Sequence, residues 1–280
     1  MKIDRKEVSS MKRIMILLSI LLMLVGCSSS KEAENPEPKP LSVEELYNLG
    51  MDAINAKDYG KAYEYLTQYV EAGGTEAYYE LGSMYYYGDG VQVDDVKALE
   101  CFELAAAKGN GDAMEMAGWC YEQGDGTEVN VEKAFEYYKN GEAIDHAGCT
   151  TRLGWFYGHG IAVEQDLKKA AEYYQKGAEA GLAWAQRLMC YCYLYGVGVE
   201  ADYEKAYEWG IKAVENGDDF SALYLSTMYN EGLYVDASAE KTKEYLEKAI
   251  SNNNQQIIDA IKEGAADGYY SADVLPDSLK

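Results

Sequence analysis

The sequence predicts an all-α fold, a right-handed α-solenoid in which helix–turn–helix units stack into a superhelix. Three observations predict it. A 36-residue register runs along the chain: Ala62, Ala98, Ala134, Ala170 and Ala206 share one column, with Thr242 at the sixth step. Tyr85, Tyr121, Tyr157, Tyr193 and Tyr229 fall in the same register, as do Gly88, Gly124, Gly160, Gly196 and Gly232. A further column is small (Gly82, Gly118, Gly154, Cys190, Ser226), and another is aromatic but for one member (Tyr65, Cys101, Tyr137, Tyr173, Trp209, Tyr245). Finally, of four prolines, Pro36, Pro38 and Pro40 precede residue 41 and Pro276 follows residue 275, so the stretch between can be helical throughout.

The elements follow in chain order. Lys12-Arg13 is followed by an apolar run at 14–24, about 11 residues long. That is too short for a bilayer, which needs about 20, and suits the apolar core of a signal peptide. Leu24-Val25-Gly26-Cys27 matches the bacterial lipobox, so residues 1–26 read as a lipoprotein signal peptide, with Met1 and Met11 as alternative starts. Cys27 would then carry a diacylglyceryl thioether and become the N-terminus. One acyl chain binds a membrane marginally, whereas the two or three (palmitate) chains of such an anchor hold. Residues 27–40 are rich in Ser, Glu and Pro and read as a flexible tether. Ser28-Ser29-Ser30-Lys31 matches S-x-x-K, but in a tether it has no helix or pocket to act from.

From residue 41 the chain divides into helical pairs. In the clearest unit, the first helix (76–87) carries Ala77, Leu81 and Tyr85 at i, i+4 and i+8. Gly88-Asp89-Gly90 supplies the positive φ that a helix C-terminus demands. The second helix (96–108) turns Ala98 and Phe102 inward and stops at Gly109. A bulk-free residue at Gly82 and its equivalents lets paired helices approach. One hairpin cannot bury its own face, so the units must stack.

Leu81-Gly82-x-x-Tyr85-x-x-Gly88-x-Gly90 with Lys97-Ala98, and Ala117-Gly118-x-x-Tyr121-x-x-Gly124-x-Gly126 with Lys133-Ala134, resemble the Sel-one-like repeat, a relative of the tetratricopeptide repeat. The third unit keeps Leu153-Gly154 but has Ala162 at the second turn glycine; the fourth has Met189-Cys190 for Leu-Gly. In the first unit Leu49-Gly50 stands 13 residues before Ala62, against 17 from Leu81 to Ala98, a spacing like a plain tetratricopeptide unit. The expected organisation is therefore a tetratricopeptide-like unit at 41–74, Sel-one-like units at 75–110, 111–146, 147–182 and 183–218, a degenerate one at 219–254, and a capping helix with a loose tail at 255–280.

Composition excludes several functions. With 48 acidic against 25 basic residues the net charge is −23; residues 1–26 hold five of the bases and two of the acids, so their removal leaves 20 against 46, or −26. Such a chain repels the phosphate backbone, and nucleic-acid binding by counterion release is excluded. Cys101, Cys120, Cys149, Cys190 and Cys192 show no recurring paired offset of the kind found in a cysteine-rich branch of the repeat family, and they read as small buried apolar residues. The only two histidines, His146 and His159, cannot furnish a histidine-rich metal site, and no cofactor is expected. Gly88-Asp89-Gly90 and Gly196-Val197-Gly198 follow no strand and precede no Gly-Lys-Ser/Thr, so they are not phosphate loops.

The resemblance implies that first helices line a concave groove, and that the residue two after the Leu of Leu-Gly faces it. Down the register this gives Ser83, Trp119, Trp155, Tyr191 and Thr227. Tyr79, Glu115, Thr151, Arg187 and Leu223 lie one turn away; Tyr86, Tyr87, Glu122, Leu194 and Tyr195 stand toward the turn, with Trp184 and Phe220 at helix starts. These aromatics either face the groove or pack on the next unit. Rigid aromatics suit binding sites because they give contact area at little rotamer entropy. The expected function is a non-enzymatic lipoprotein scaffold, lipid-anchored at the cell envelope and facing outside the cytoplasm, whose groove takes a neutral or basic protein or peptide segment. The alternatives are an envelope glycan-binding module and, less favoured, an envelope hydrolase.

Overall fold

The computed structural model describes residues 40–279; the signal segment, Cys27 and the tether up to residue 39 lie outside the described residues. Thirteen α-helices occur among the described residues, with no strand. They are α1 (Val43–Asn55), α2 (Tyr59–Glu71), α3 (Tyr78–Tyr87), α4 (Asp95–Ala106), α5 (Gly111–Gln123), α6 (Val131–Glu142), α7 (Ala147–His159), α8 (Leu167–Glu179), α9 (Ala183–Tyr195), α10 (Tyr203–Glu215), α11 (Asp219–Glu231), α12 (Ala239–Ala249) and α13 (Gln255–Ala266). Odd-numbered helices from α1 to α11 pair with the helix that follows, and each second helix packs on the first helix of the next unit. The result is the α-solenoid that the register predicts.

Local chemistry repeats with the register. First helices α3, α5, α7, α9 and α11 end on Gly88, Gly124, Gly160, Gly196 and Gly232, all left-handed. The second turn position also has positive φ in every unit: Gly90, Gly126, Ala162, Gly198 and Tyr234. Second helices begin at a capping column, Asp58, Asp94, Asn130, Asp166, Asp202 and Ser238, whose side chains accept from the backbone N–H three residues on. These bonds satisfy helix-end donors that would otherwise be orphaned.

The core pairs small with large. A Cβ on Gly82, Gly118 or Gly154 would lie 2.7, 2.5 or 2.7 Å from the rings of Phe102, Tyr138 or Tyr174, each 20 residues on. Unit four departs from the pairing: Cys190 fills the small column and Gly210 stands where the ring would be. There Cys190 Sγ and Leu225 of α11 stand against Gly210 in place of a ring. The five cysteines of the described residues are unpaired; four are buried and Cys101 is half-buried.

The tail departs from the loose end expected. Tyr270, Val274 and Leu275 are buried with Ile257 and Ile261 of α13 and Leu225 and Met228 of α11. Tyr270 Oη and Ser226 Oγ lie 3.2 Å apart, Asn230 Nδ2 donates to Tyr269 O at 3.1 Å, and Lys243 Nζ reaches Asp277 at 3.2 Å. The tail thus covers the apolar face that the last unit would expose, which every solenoid end must manage.

Candidate functional site: an aromatic groove with two stacked arginines

Two clefts adjoin along the first helices, sharing Trp155 and Leu188, and the second reaches onto α8 at Leu167, Ala170 and Tyr174. One, of about 470 Å³, is lined by Trp119, Glu122, Gln123, Arg152, Trp155, Trp184, Arg187 and Leu188. The other, of about 460 Å³, includes Trp155, His159, Leu188, Tyr191, Cys192 and Tyr224. Arg152 lies between two indoles, its Cζ 4.3 Å from the Trp119 ring and 5.3 Å from that of Trp184. Arg187 stacks on Phe220 at 4.9 Å. The Trp155 and His159 rings stack at 3.7 Å, and His159, solvent-exposed at the end of α7, has Nδ1 2.9 Å from Trp155 O. Tyr191, Tyr195 and Tyr224 form a cluster with centroids 4.9–6.5 Å apart.

Polar contacts fix this wall. Trp119 Nε1 donates to Tyr86 Oη at 3.1 Å, and Tyr86 Oη donates to Asp125 at 2.8 Å. Burial, then the Asp125 carboxylate, pushes the Tyr86 phenol up to about 12, against the opposing pull of the Trp119 N–H. Tyr138, fully buried, donates to Glu122 at 2.8 Å. Burial raises the pKa of Glu115, although Arg152 and His146 pull it down. Tyr79 and Ser83 are half-buried at the α3 end, the Tyr79 ring 6.1 Å from Phe102, and Tyr87 is exposed and edge-on to Tyr86. Thr227 donates to Leu223 O at 3.2 Å at the other end.

Thr151 does not belong to the groove. It is fully buried, donates to Ala147 O, and fits the space left by Gly177 of α8. Leu194 is likewise buried in the core around α11. Beside the expected Trp119, Glu122, Trp155, Trp184, Arg187 and Tyr191, the clefts are lined by a neighbouring column, Arg152, Leu188 and Tyr224, that the sequence reasoning passed over. That column reads Glu80, Met116, Arg152, Leu188, Tyr224, so no common chemistry marks it. Its signal is geometric: 76, 80, 83 and 87 form one i, i+4, i+7, i+11 stripe.

The family model of the Sel1 repeat matches residues 45–73, 75–110, 111–140, 148–182, 185–218 and 220–254, most of the chain and all six units. The chain belongs to the Sel1 repeat family. Sel1 repeats are in general non-catalytic protein-interaction scaffolds. Among solved structures this Sel1-repeat chain is similar to a protective antigen of uropathogenic Escherichia coli displaying an SLR fold, at 25% identity and a TM-score of 0.65, covering 79% of this chain and 48% of that one. It thus spans about half of the antigen's length. A Sel1 repeat protein from Oxalobacter formigenes shares 23% identity at a TM-score of 0.70, covering 81% and 91% of the two chains. An immunity protein from Pseudomonas aeruginosa shares 19% at 0.51, covering 81% and 88%; these last two likenesses speak to fold alone. No curated protein matches the chain.

Among the described residues no group of three or more His, Cys, Asp or Glu side chains could hold a metal ion, and no helix is long and apolar enough to cross a membrane. Burial pushes the thiols further above their ordinary range, Cys120 and Cys190 to about 12 and Cys101 and Cys192 to about 11. A wall of aromatic rings, two guanidinium groups and few mobile side chains can bind a ligand at modest entropic cost.

Proposed function

We propose that this Sel1-repeat protein is a cell-envelope lipoprotein, acylated at Cys27, that captures a neutral or basic polypeptide segment along the groove from Tyr79 and Tyr87 to Tyr195. The observation that carries the reading is the pair of adjoining clefts, lined by Trp119, Trp155, Trp184, Tyr191 and Tyr224 on consecutive first helices. The acidic surround, −23 over the chain, favours a partner that is not itself acidic. A glycan reading would use the indoles as platforms for sugar rings. That is disfavoured, because Arg152 already covers a face of Trp119 and of Trp184, and His159 covers Trp155.

The test is in-cell crosslinking with the parent chain and with Trp119→Ala/Trp155→Ala. Loss of the crosslinked protein partner, with a thermal midpoint close to the parent's, supports the groove. Unchanged crosslinking overturns it, and selective retention of purified cell-wall polymer favours the glycan reading. The anchor is tested separately by labelling cells with radioactive palmitate, where label surviving Cys27→Ala removes the lipidation assignment.

A further inference from the structure

Arginine is scarce in this chain and concentrated where a ligand would sit. The four arginines are Arg5, Arg13, Arg152 and Arg187, so every other base in the described body apart from histidine is a lysine. Arg152 and Arg187 are on consecutive first helices, α7 and α9, and line the same 470 Å³ cleft. Lysines are used differently: Lys61, Lys97 and Lys205 pair with the capping aspartates of their own helices. Arginine differs from lysine in being planar, stacking on aromatic faces, and presenting a fork of N–H donors that matches a carboxylate.

Both guanidiniums are held by their faces, and each has one edge nitrogen in a long ion pair. Arg152 is sandwiched between Trp119 and Trp184, and Arg187 lies on Phe220. Their nearest carboxylates, Glu115 at 3.8 Å and Asp218 at 3.5 Å, exceed the 2.7–3.2 Å of a formed N–H···O bond. Asp218 Oδ1 accepts from Ser221 N at 2.7 Å and Ser221 Oγ at 2.9 Å, while its Oδ2 faces Arg187 at that longer distance. Among the described residues neither arginine donates a hydrogen bond, and the Arg152 Nε is buried without an acceptor. A ligand would meet the terminal nitrogens that line the cleft instead, and a charge-assisted pair with a carboxylate is the stronger kind of hydrogen bond.

We infer that this cleft is a carboxylate site, in which Arg152 and Arg187 receive one carboxylate of the captured polypeptide. The inference rests on the groove reading above and refines it: the segment is neutral or basic overall, but presents a single carboxylate to α7 and α9. A monoanion suits the cleft better than phosphate, since Glu115, Glu122 and Asp218 stand close by and would repel a dianion. The carboxylate can belong to a chain end or to an Asp or Glu side chain.

The test immobilises the full chain and offers three N-acetyl pentapeptide pools. One is free of acidic residues and ends in a carboxylate, the second is the same pool amidated, and the third is amidated with one central Glu. We expect the free-acid pool to be retained about tenfold or more over the amide pool, as a charged hydrogen-bonded pair implies. Arg152→Gln and Arg187→Gln should each bring that ratio toward one. Arg187→Gln, at a partly exposed position, keeps the test open if the other variant misfolds. Retention of the Glu pool alone, or of both carboxylate-bearing pools, supports the same chemistry and names its source. Equal retention of the first two pools, with the Glu pool showing no gain, overturns the carboxylate site while the groove reading stands. A preference that survives the double variant does the same. No retention of any pool overturns both, and preferential retention of an oligoglucuronate overturns the polypeptide assignment.

Discussion

Gly118→Ala tests how the groove wall is supported. In the interior of α5, helix propensity alone makes alanine better than glycine by about 1 kcal/mol. Packing opposes it, because the new Cβ would lie 2.5 Å from Tyr138 Cε1 and 2.9 Å from Cδ1 and Cζ. Tyr138 has no room to retreat: it is fully buried, edge-on to Phe156 at 5.4 Å, and hydrogen-bonded to Glu122. Overpacking of this kind costs about 1–3 kcal/mol, so the net expectation is a loss of up to about 2 kcal/mol. Gly210→Ala is the internal control. Its Cβ would meet Leu225 Cδ2 at 3.0 Å and Cys190 Sγ at 3.2 Å, contacts a small shift relieves, so it should be neutral or slightly stabilising. Urea unfolding followed by far-ultraviolet circular dichroism measures both, provided the slopes agree with the parent's. In a Tyr138→Leu background, Gly118→Ala should cost less, because the two residues share one contact. A Gly118→Ala protein more stable than the parent, or equal shifts at the two glycines, would refute the small-against-large account.

Other expectations follow from the same contacts. Ala162, at φ 56, occupies a slot that favours glycine, so Ala162→Gly should stabilise by about 0.5–1 kcal/mol in urea titration. Gly198→Ala should cost about 2 kcal/mol or more, since φ is +72 and the Cβ would fall 2.0 Å from Leu167 O. Burial raises the Cys120 thiol to about 12, so the folded state holds that proton longer than the unfolded chain does. Its contribution is full below the unfolded value of about 8.5 and is lost as pH rises toward 12, so the urea midpoint should fall across that window, less steeply in Cys120→Ala. Truncation after Ala266 removes Tyr270, Val274 and Leu275 from the core. At about 1.5–3 kcal/mol per buried side chain it should open the last unit to hydrogen exchange, with the tryptophan fluorescence of the central units kept.

The register made the fold legible because core contacts repeat. A helix pair that closes on Gly82 and Phe102 closes again on Gly118 and Tyr138, so packing writes the same residue types every 36 positions. The exception at Cys190 and Gly210 was half visible: the small column named Cys190, but only the structure shows Leu225 of the next unit closing on Gly210 beside it. Thr151 misled because its column, Tyr79, Glu115, Thr151 and Arg187, lies at the edge of the wall; in its unit Gly177 opens a space that draws the hydroxyl into the core. The tail was illegible for a different reason. It packs once, on the end of the stack, and no second copy exists to mark Tyr270 or Val274 as core.

The groove shows where such reading stops. A column that faces a neighbouring unit answers to the solenoid's own symmetry and must repeat. A column that faces a ligand answers to the ligand, which need not repeat at all. Glu80, Met116, Arg152, Leu188 and Tyr224 share one position and almost no chemistry, which is what an asymmetric occupant would select along a symmetric wall. The departure from periodicity is therefore itself a signal. It is largest at α7 and α9, where a chain with 21 lysines and four arginines sets two arginines in adjacent columns of consecutive first helices, each against an aromatic ring and neither hydrogen-bonded among the described residues. Core packing has no use for that arrangement, since a guanidinium in a wall of indoles adds desolvation cost that an apolar side chain would avoid. Binding does have a use for it, which is why the carboxylate assignment fixes on these two residues rather than on the tyrosines that dominate the composition.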